Sequence, residues 1–100
     1  MPFQNTVAYH FNERTINTII EGGGVYGLAR PRLSHSGYYT ILYVGKSGNL
    51  RERLRSHLNN PPTAGVTHFF TEAIQAEAPR TRREVQLITE FDPIGNTQLK

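Results

Sequence analysis

The chain contains no cysteine. That excludes a disulfide-stapled scaffold, a thiol nucleophile and cysteine-ligated zinc. It also lacks any apolar run near the ~18 residues that mark a membrane-spanning helix. Its longest apolar stretches, such as Ile41-Leu42-Tyr43-Val44, are strand-sized. The opening Met-Pro-Phe-Gln-Asn has neither the basic nor the apolar region of a secretory signal, so the expectation is a cytoplasmic protein with no membrane partner. No internal repeat or low-complexity segment occurs. Acidic residues are scarce where basic ones collect. Residues 24–60 hold six cations (Arg30, Arg32, Lys46, Arg51, Arg53, Arg55) and one anion, Glu52. Residues 61–79 hold Glu72 and Glu77 and no cation. Nine of the 11 cations are arginine, whose planar fork suits bidentate phosphate contact. The basic middle is either an ordinary solvated surface or the footprint of a phosphate-rich partner.

What is present describes one globular domain over residues 1–100, with 37% hydrophobic and 19% charged residues and a small core that needs no staples. Ile16, Ile19 and Ile20 follow helical spacing after Asn12, a suitable N-cap, which predicts a short helix over 12–21 closed by Gly22-Gly23-Gly24. Strands are predicted over 25–30 and 38–44, joined as an antiparallel hairpin by a Pro/Ser/Gly-rich loop. Asn49 caps a predicted helix that runs to about residue 59, where Pro61-Pro62 stops it. A third strand is predicted over 66–71. A last helix, with Pro79 in its first turn, runs to Phe91, and a tail follows Asp92-Pro93. The predicted fold class is α/β in the order α-β-β-α-β-α, a three-stranded sheet flanked by helices.

Several polar residues break the local pattern. In the helix after Asn49, the apolar stripe is Leu50, Leu54 and Leu58. Arg53 and His57, four apart, edge that stripe on one side and Arg51 on the other, while Arg55 and Glu52 face water. Arg53 and His57 are either snorkelling supports or site residues. In the last helix, Glu84 falls inside the arc formed by Val85, Leu87, Ile88 and Phe91. A carboxylate there needs a cation, a metal or a cleft. The simpler alternatives are a dipole-complementing acid near the helix start or a pair with Arg80. Tyr26 and Tyr43 each lie in a hairpin strand beside a glycine motif, either as packing or as a pair converging on Lys46, Arg53, His57 and Glu84. His10, His35 and His68 have no spacing that suggests zinc.

These residues, taken in order, resemble the GIY-YIG nuclease family. Gly24-Val25-Tyr26 is similar to the first motif. Tyr43-Val44-Gly45-Lys46-Ser47, with Asn49-Leu50 and Arg53-Leu54 behind it, is similar to the second. Glu84 matches the family's metal-binding glutamate and Asn96 its late asparagine. The spacings are similar to those of the nuclease domain of the bacterial excinuclease C subunit. The resemblance covers about residues 24–96 and leaves 1–23 as an N-terminal extension. Valine replaces isoleucine in both motif names, and His57 stands where many members carry tyrosine.

The resemblance implies an endonuclease that hydrolyses phosphodiester bonds in DNA through a tyrosine-activated water. One Mg²⁺ or Mn²⁺ ion on Glu84 fits a site with a single inward carboxylate. The implied catalytic set is Tyr26, Tyr43, Lys46, Arg53, His57, Glu84 and Asn96. Tyr26 is the expected base and Tyr43 orients it or the water; the reverse assignment stays open. The expectation is a Tyr26 pKa below ~10, because Lys46, Arg53 and the metal favour the anion. Arg53 binds the scissile phosphate, His57 assists deprotonation or touches the phosphate, and Asn96 holds geometry. Arg30, Arg32, Arg51 and Arg55 are the expected contacts to flanking backbone. RNA stays open as a substrate, and targeting is left to a homodimer or a partner protein. The alternative reading is a catalytically idle nucleic-acid-binding module of the same fold.

Overall fold

The computed structural model describes residues 7–34 and 37–98; the expectations for residues 1–5 and for His35 lie outside the described residues. The elements run β1 (Tyr9–His10), α1 (Glu13–Ile16), β2 (Gly24–Pro31), β3 (Tyr39–Ser47), α2 (Leu50–Asn59), β4 (His68–Ala73), α3 (Glu77–Phe91) and α4 (Ile94–Gln98). The sheet is antiparallel in the order β1-β4-β2-β3.

The α/β architecture is as expected, but the sheet has four strands rather than three. The fourth, β1, pairs Tyr9 with Phe69 and His10 with His68, and the Tyr9 ring stacks on Phe69 at 5.4 Å. Two residues are too few for alternation to register in a sequence. The helix expected over 12–21 is a single turn, capped by the Asn12 side chain on the Thr15 N–H at 2.8 Å. Thr15, Asn17, Thr18 and Ile19 are weak helix formers, so the chain unwinds yet still buries Ile16 and Ile19. The segment expected as an extension thus supplies a strand and two core residues.

Alternation along β2 sends Tyr26 and Leu28 to one face of the sheet and Val25 and Ala29 to the other. The first face packs with Ile16, Ile19, Leu50, Leu54 and Phe69. The second packs with Ile41, Val44, Phe70 and Leu87. Leu54 is fully buried, so its truncation to alanine is expected to cost about 2–5 kcal/mol. Arg83 ties α3 to β4 through a two-pronged pair with buried Glu72, Nε to Oε1 at 2.8 Å and Nη2 to Oε2 at 3.3 Å. Asp92, with φ 45°, ends α3 in the left-handed region, which a short polar side chain tolerates. Where a tail was expected, α4 docks on the outer edge of β3. No helix among the described residues is long and apolar enough to cross a membrane.

Candidate active site

The hairpin register places Tyr26 opposite Gly45 and Leu28 opposite Tyr43. The two tyrosines therefore share a face as diagonal neighbours, with ring centroids 6.2 Å apart. A side chain at position 45 would run into the ring and hydroxyl of Tyr26. Glycine lets Tyr26 lie across the edge strand, which gives a packing reason for the tyrosine-valine-glycine order in β3.

Helix α2 covers this face with Leu50 and Leu54 and brings His57 onto the tyrosines one turn later. The His57 ring centre is 5.5 Å from that of Tyr26 and 5.6 Å from that of Tyr43. The Tyr26 hydroxyl oxygen lies 2.6 Å from His57 Nε2. Burial pushes the Tyr26 phenol above its ordinary range; Tyr43 and Glu84 push the same way, and Arg53 opposes them by charge and hydrogen bonding. Without a metal ion, desolvation of the phenolate outweighs the nearby Arg53 cation, and Lys46 is not among the groups that act on it; the expected lowering would have to come from the bound ion. Burial, seconded by Arg53, pushes His57 below its ordinary value. Both groups are neutral at pH 7. Arg53 itself is exposed on α2, one turn before His57.

Glu84 is half-buried on α3. Burial raises its carboxyl above the usual range; Lys46 opposes the rise and Glu77 adds to it. Its carboxylate has no hydrogen-bond partner among the described residues. The alternative pair with Arg80 does not form. Arg80 is buried and donates to Ile74 O at 3.1 Å, Gln75 O at 2.6 Å and Glu77 Oε1 at 3.0 Å. Its guanidinium occupies the space a side chain on Gly23 would need. Among the described residues no three histidine or acidic side chains could enclose a metal. An ion here would rest on one carboxylate, the donor set of a hydrated divalent cation.

Lys46 sits on β3 and pairs with Glu77 Oε2 at 2.8 Å and Thr81 Oγ1 at 2.9 Å. Glu77 and Thr81 were not singled out from the sequence, although their spacing from Glu84 puts all three on one stripe of α3. Asn96 binds the backbone of β3 beside Tyr43. Its Oδ1 accepts from the Val44 N–H and its Nδ2 donates to the Val44 carbonyl, both at 2.8 Å.

Among the cations expected at flanking backbone, Arg30 and Arg32 are exposed at the far end of β2. The other two are tied to the segment after α1. Arg51 donates from Nε to Ile19 O at 2.7 Å and pairs with Glu21 at 3.3 Å. Arg55 donates to Asn17 Oδ1 at 2.6 Å. Both arginines are thus engaged within the fold as well as lying on α2 beside the motif.

No protein-family model matches the chain. It is 34% identical over 74 residues to the UvrABC system protein C of Xanthomonas oryzae pv. oryzae, and to the same degree to that of Xanthomonas euvesicatoria pv. vesicatoria. The match covers 66% of this chain, which spans only 12% of the length of those relatives. Among solved structures it is similar to the GIY-YIG N-terminal endonuclease domain of UvrC from Thermotoga maritima bound to magnesium, its catalytic divalent cation. The TM-score is 0.65 at 26% identity, over 82% of this chain and 91% of that one. A point mutant of that domain, also bound to its catalytic divalent cation, matches with the same TM-score. The ordered motif residues, the fold that holds them and these likenesses support the GIY-YIG nuclease family for this chain, which resembles the nuclease domain of UvrC.

Proposed function

We propose that the chain is a metal-dependent endonuclease that hydrolyses phosphodiester bonds in DNA. The observation that carries this reading is the 2.6 Å contact between the Tyr26 hydroxyl and His57 Nε2. Two neutral groups so joined, Tyr26 buried and His57 half-buried, can move a proton without first forming a phenolate. With its proton on Nδ1, His57 accepts from Tyr26 while Tyr26 takes a proton from the attacking water. Tyr43, packed against both rings, orients Tyr26 or the water. Arg53 contacts the scissile phosphate and stabilises the charge that develops on it. Lys46, steered by Glu77 and Thr81, adds positive charge nearby. Asn96 acts at one remove by holding β3. Glu84 would hold one Mg²⁺ or Mn²⁺ ion, since a half-buried carboxylate without a partner suits a cation that keeps most of its waters. When bound, such an ion neutralises phosphate charge and eases departure of the leaving oxygen.

Arg30 and Arg32 are the proposed contacts to flanking backbone. A single domain over residues 1–100, a cytoplasmic setting, and targeting by a second copy or a partner protein belong to the same reading. Plasmid cleavage tests it. The chain should relax supercoiled DNA with Mg²⁺ and not in EDTA, and Glu84→Gln should abolish cleavage while leaving the fold and DNA binding in place. Binding without cleavage by the unaltered chain under every divalent ion tried would favour the idle module. Cleavage by Glu84→Gln at the normal rate would remove Glu84 from the mechanism.

A further inference from the structure

His10 and His68 are direct partners across the β1–β4 ladder. Their spacing along the chain does not join them; the pairing of a two-residue strand does. Ladder partners share a side of the sheet, and His68 also pairs with Ala29 of β2. Both histidines therefore lie on the face of Val25 and Ala29, opposite to Tyr26 and Tyr43. Val25, whose partner Lys46 is the cation that acts on Glu84, lies about 13 Å from Ala29 along β2. The pair is thus remote from the carboxylate proposed to hold Mg²⁺. Two imidazoles in contact can be packing alone, but their geometry also suits chelation. With metal–nitrogen bonds of about 2.0–2.1 Å, two imidazoles bound at roughly 90–110° to one ion hold their ring centres about 4.5–5.2 Å apart. The centres of His10 and His68 are 4.7 Å apart, with the planes at 41°. His10 is exposed and His68 half-buried, so an ion can reach both. The Thr67 hydroxyl lies 2.8 Å from His68 Nδ1. In the tautomer that donates Nδ1–H to this hydroxyl, Nε2 keeps its lone pair and the ring is oriented, as outer partners do for metal-binding histidines.

We propose that His10 and His68 chelate a late first-row divalent ion of the Zn²⁺, Ni²⁺ or Cu²⁺ class, and that the ion clasps β1 to the sheet. Imidazole selects these ions, whereas Mg²⁺ stays with oxygen ligands. Among the described residues no third histidine or acidic side chain completes the set, so water fills the remaining positions. The clasp has mechanical sense. Apart from its two ladder pairs, the strand is continued by one bond, from the Phe11 N–H to the Thr67 carbonyl at 2.9 Å. The segment that follows buries Ile16 and Ile19, so holding β1 helps to hold that part of the core. The site stands whether or not the chain cuts DNA.

The test titrates Zn²⁺ into the full chain, stripped of metal beforehand and held in excess Mg²⁺ to fill the oxygen sites, with calorimetry as the readout. One ion should bind per chain. At free Zn²⁺ ten times the dissociation constant, the melting temperature should rise by roughly 6–11 °C. The Phe11 amide should exchange more slowly with the ion bound. His10→Gln removes one ligand from an exposed position, so circular dichroism should be unchanged. It should weaken Zn²⁺ binding by about tenfold or more and abolish both the thermal shift and the slowed exchange. His68→Gln should do the same, and His10→Gln alone decides the matter if that variant fails to fold. No binding of Zn²⁺ up to ~1 mM would overturn the site. So would binding of undiminished affinity in His10→Gln, which would put the ion elsewhere. Saturation that leaves Phe11 exchange unchanged would overturn the clasp.

Discussion

Burial disfavours the phenolate of Tyr26 and the imidazolium of His57 alike, so one group titrates above its ordinary range and the other below. If cleavage needs His57 deprotonated, the rate should rise with pH through an inflection below ~6.5 and then stay level across the neutral range. His57→Gln should remove the inflection and lower turnover by about 100-fold or more. A rate that instead climbs steadily from neutral pH to ~10 would restore a free phenolate as the base. The same shift acts on stability. Between the folded and unfolded pKa values of His57, the unfolded chain holds the extra proton. Its contribution is therefore complete above ~6.5 and is lost as pH falls through that window. Arg53 is exposed and should act mainly on the transition state. Arg53→Ala should lower the cleavage rate by about 100-fold or more, with only a modest loss of DNA binding. Equal losses in affinity and overall efficiency, with turnover unchanged, would make it a docking residue. The residue types of this site are legible in the sequence. Their protonation is not, because it depends on how deeply the fold buries them.

At the level of elements, the motif hairpin and α2 were readable because each has a strong local signal. Aromatic and β-branched residues fill β3, and Asn49 caps a leucine stripe. The elements that sequence reasoning missed are short, and they exist through contacts distant in the chain. β1 is two residues long and forms against β4. α4 is five residues long and is anchored to β3 by Asn96, while a side chain at Gly95 would strike the Leu42 carbonyl. β3 is an outer strand, and Asn96 satisfies backbone groups of Val44 that would otherwise face an open edge. Asn96→Ala removes both bonds, at a cost of about 1–3 kcal/mol since water can replace part of what is lost. Thermal unfolding should fall by roughly 4–8 °C per kcal/mol for a chain of this length, and the Val44 amide should exchange faster. Cleavage should fall with it, because Tyr43 and Gly45 flank Val44. A variant with undiminished melting temperature and no activity would show that Asn96 takes part in the chemistry instead.

Across the whole molecule, the longest dimension is 37 Å, about one turn of duplex, so few phosphates can be contacted at once. Charge counted along the sequence overstates that number. Six cations fall within residues 24–60, but Arg51 and Arg55 are engaged with Ile19, Glu21 and Asn17, and Lys46 with Glu77. Sequence alone places those arginines on a helix beside the motif; it does not show the loop after α1 folding back to meet them. With Arg30, Arg32 and Arg53 left to meet phosphate, the slope of log affinity against log salt should be about −3, where five or six contacts would give about −5. Replacing Arg30 and Arg32 together with alanine should flatten that slope by about 2, because two counterion-releasing contacts are lost. Replacing Arg51 and Arg55 should leave the slope alone and lower the melting temperature instead, since what they lose is the anchor of the segment between α1 and β2. A slope that flattens when Arg51 and Arg55 are removed, with stability intact, would return both to the DNA-contacting surface and make their bonds to Ile19 and Asn17 ones that give way when DNA binds.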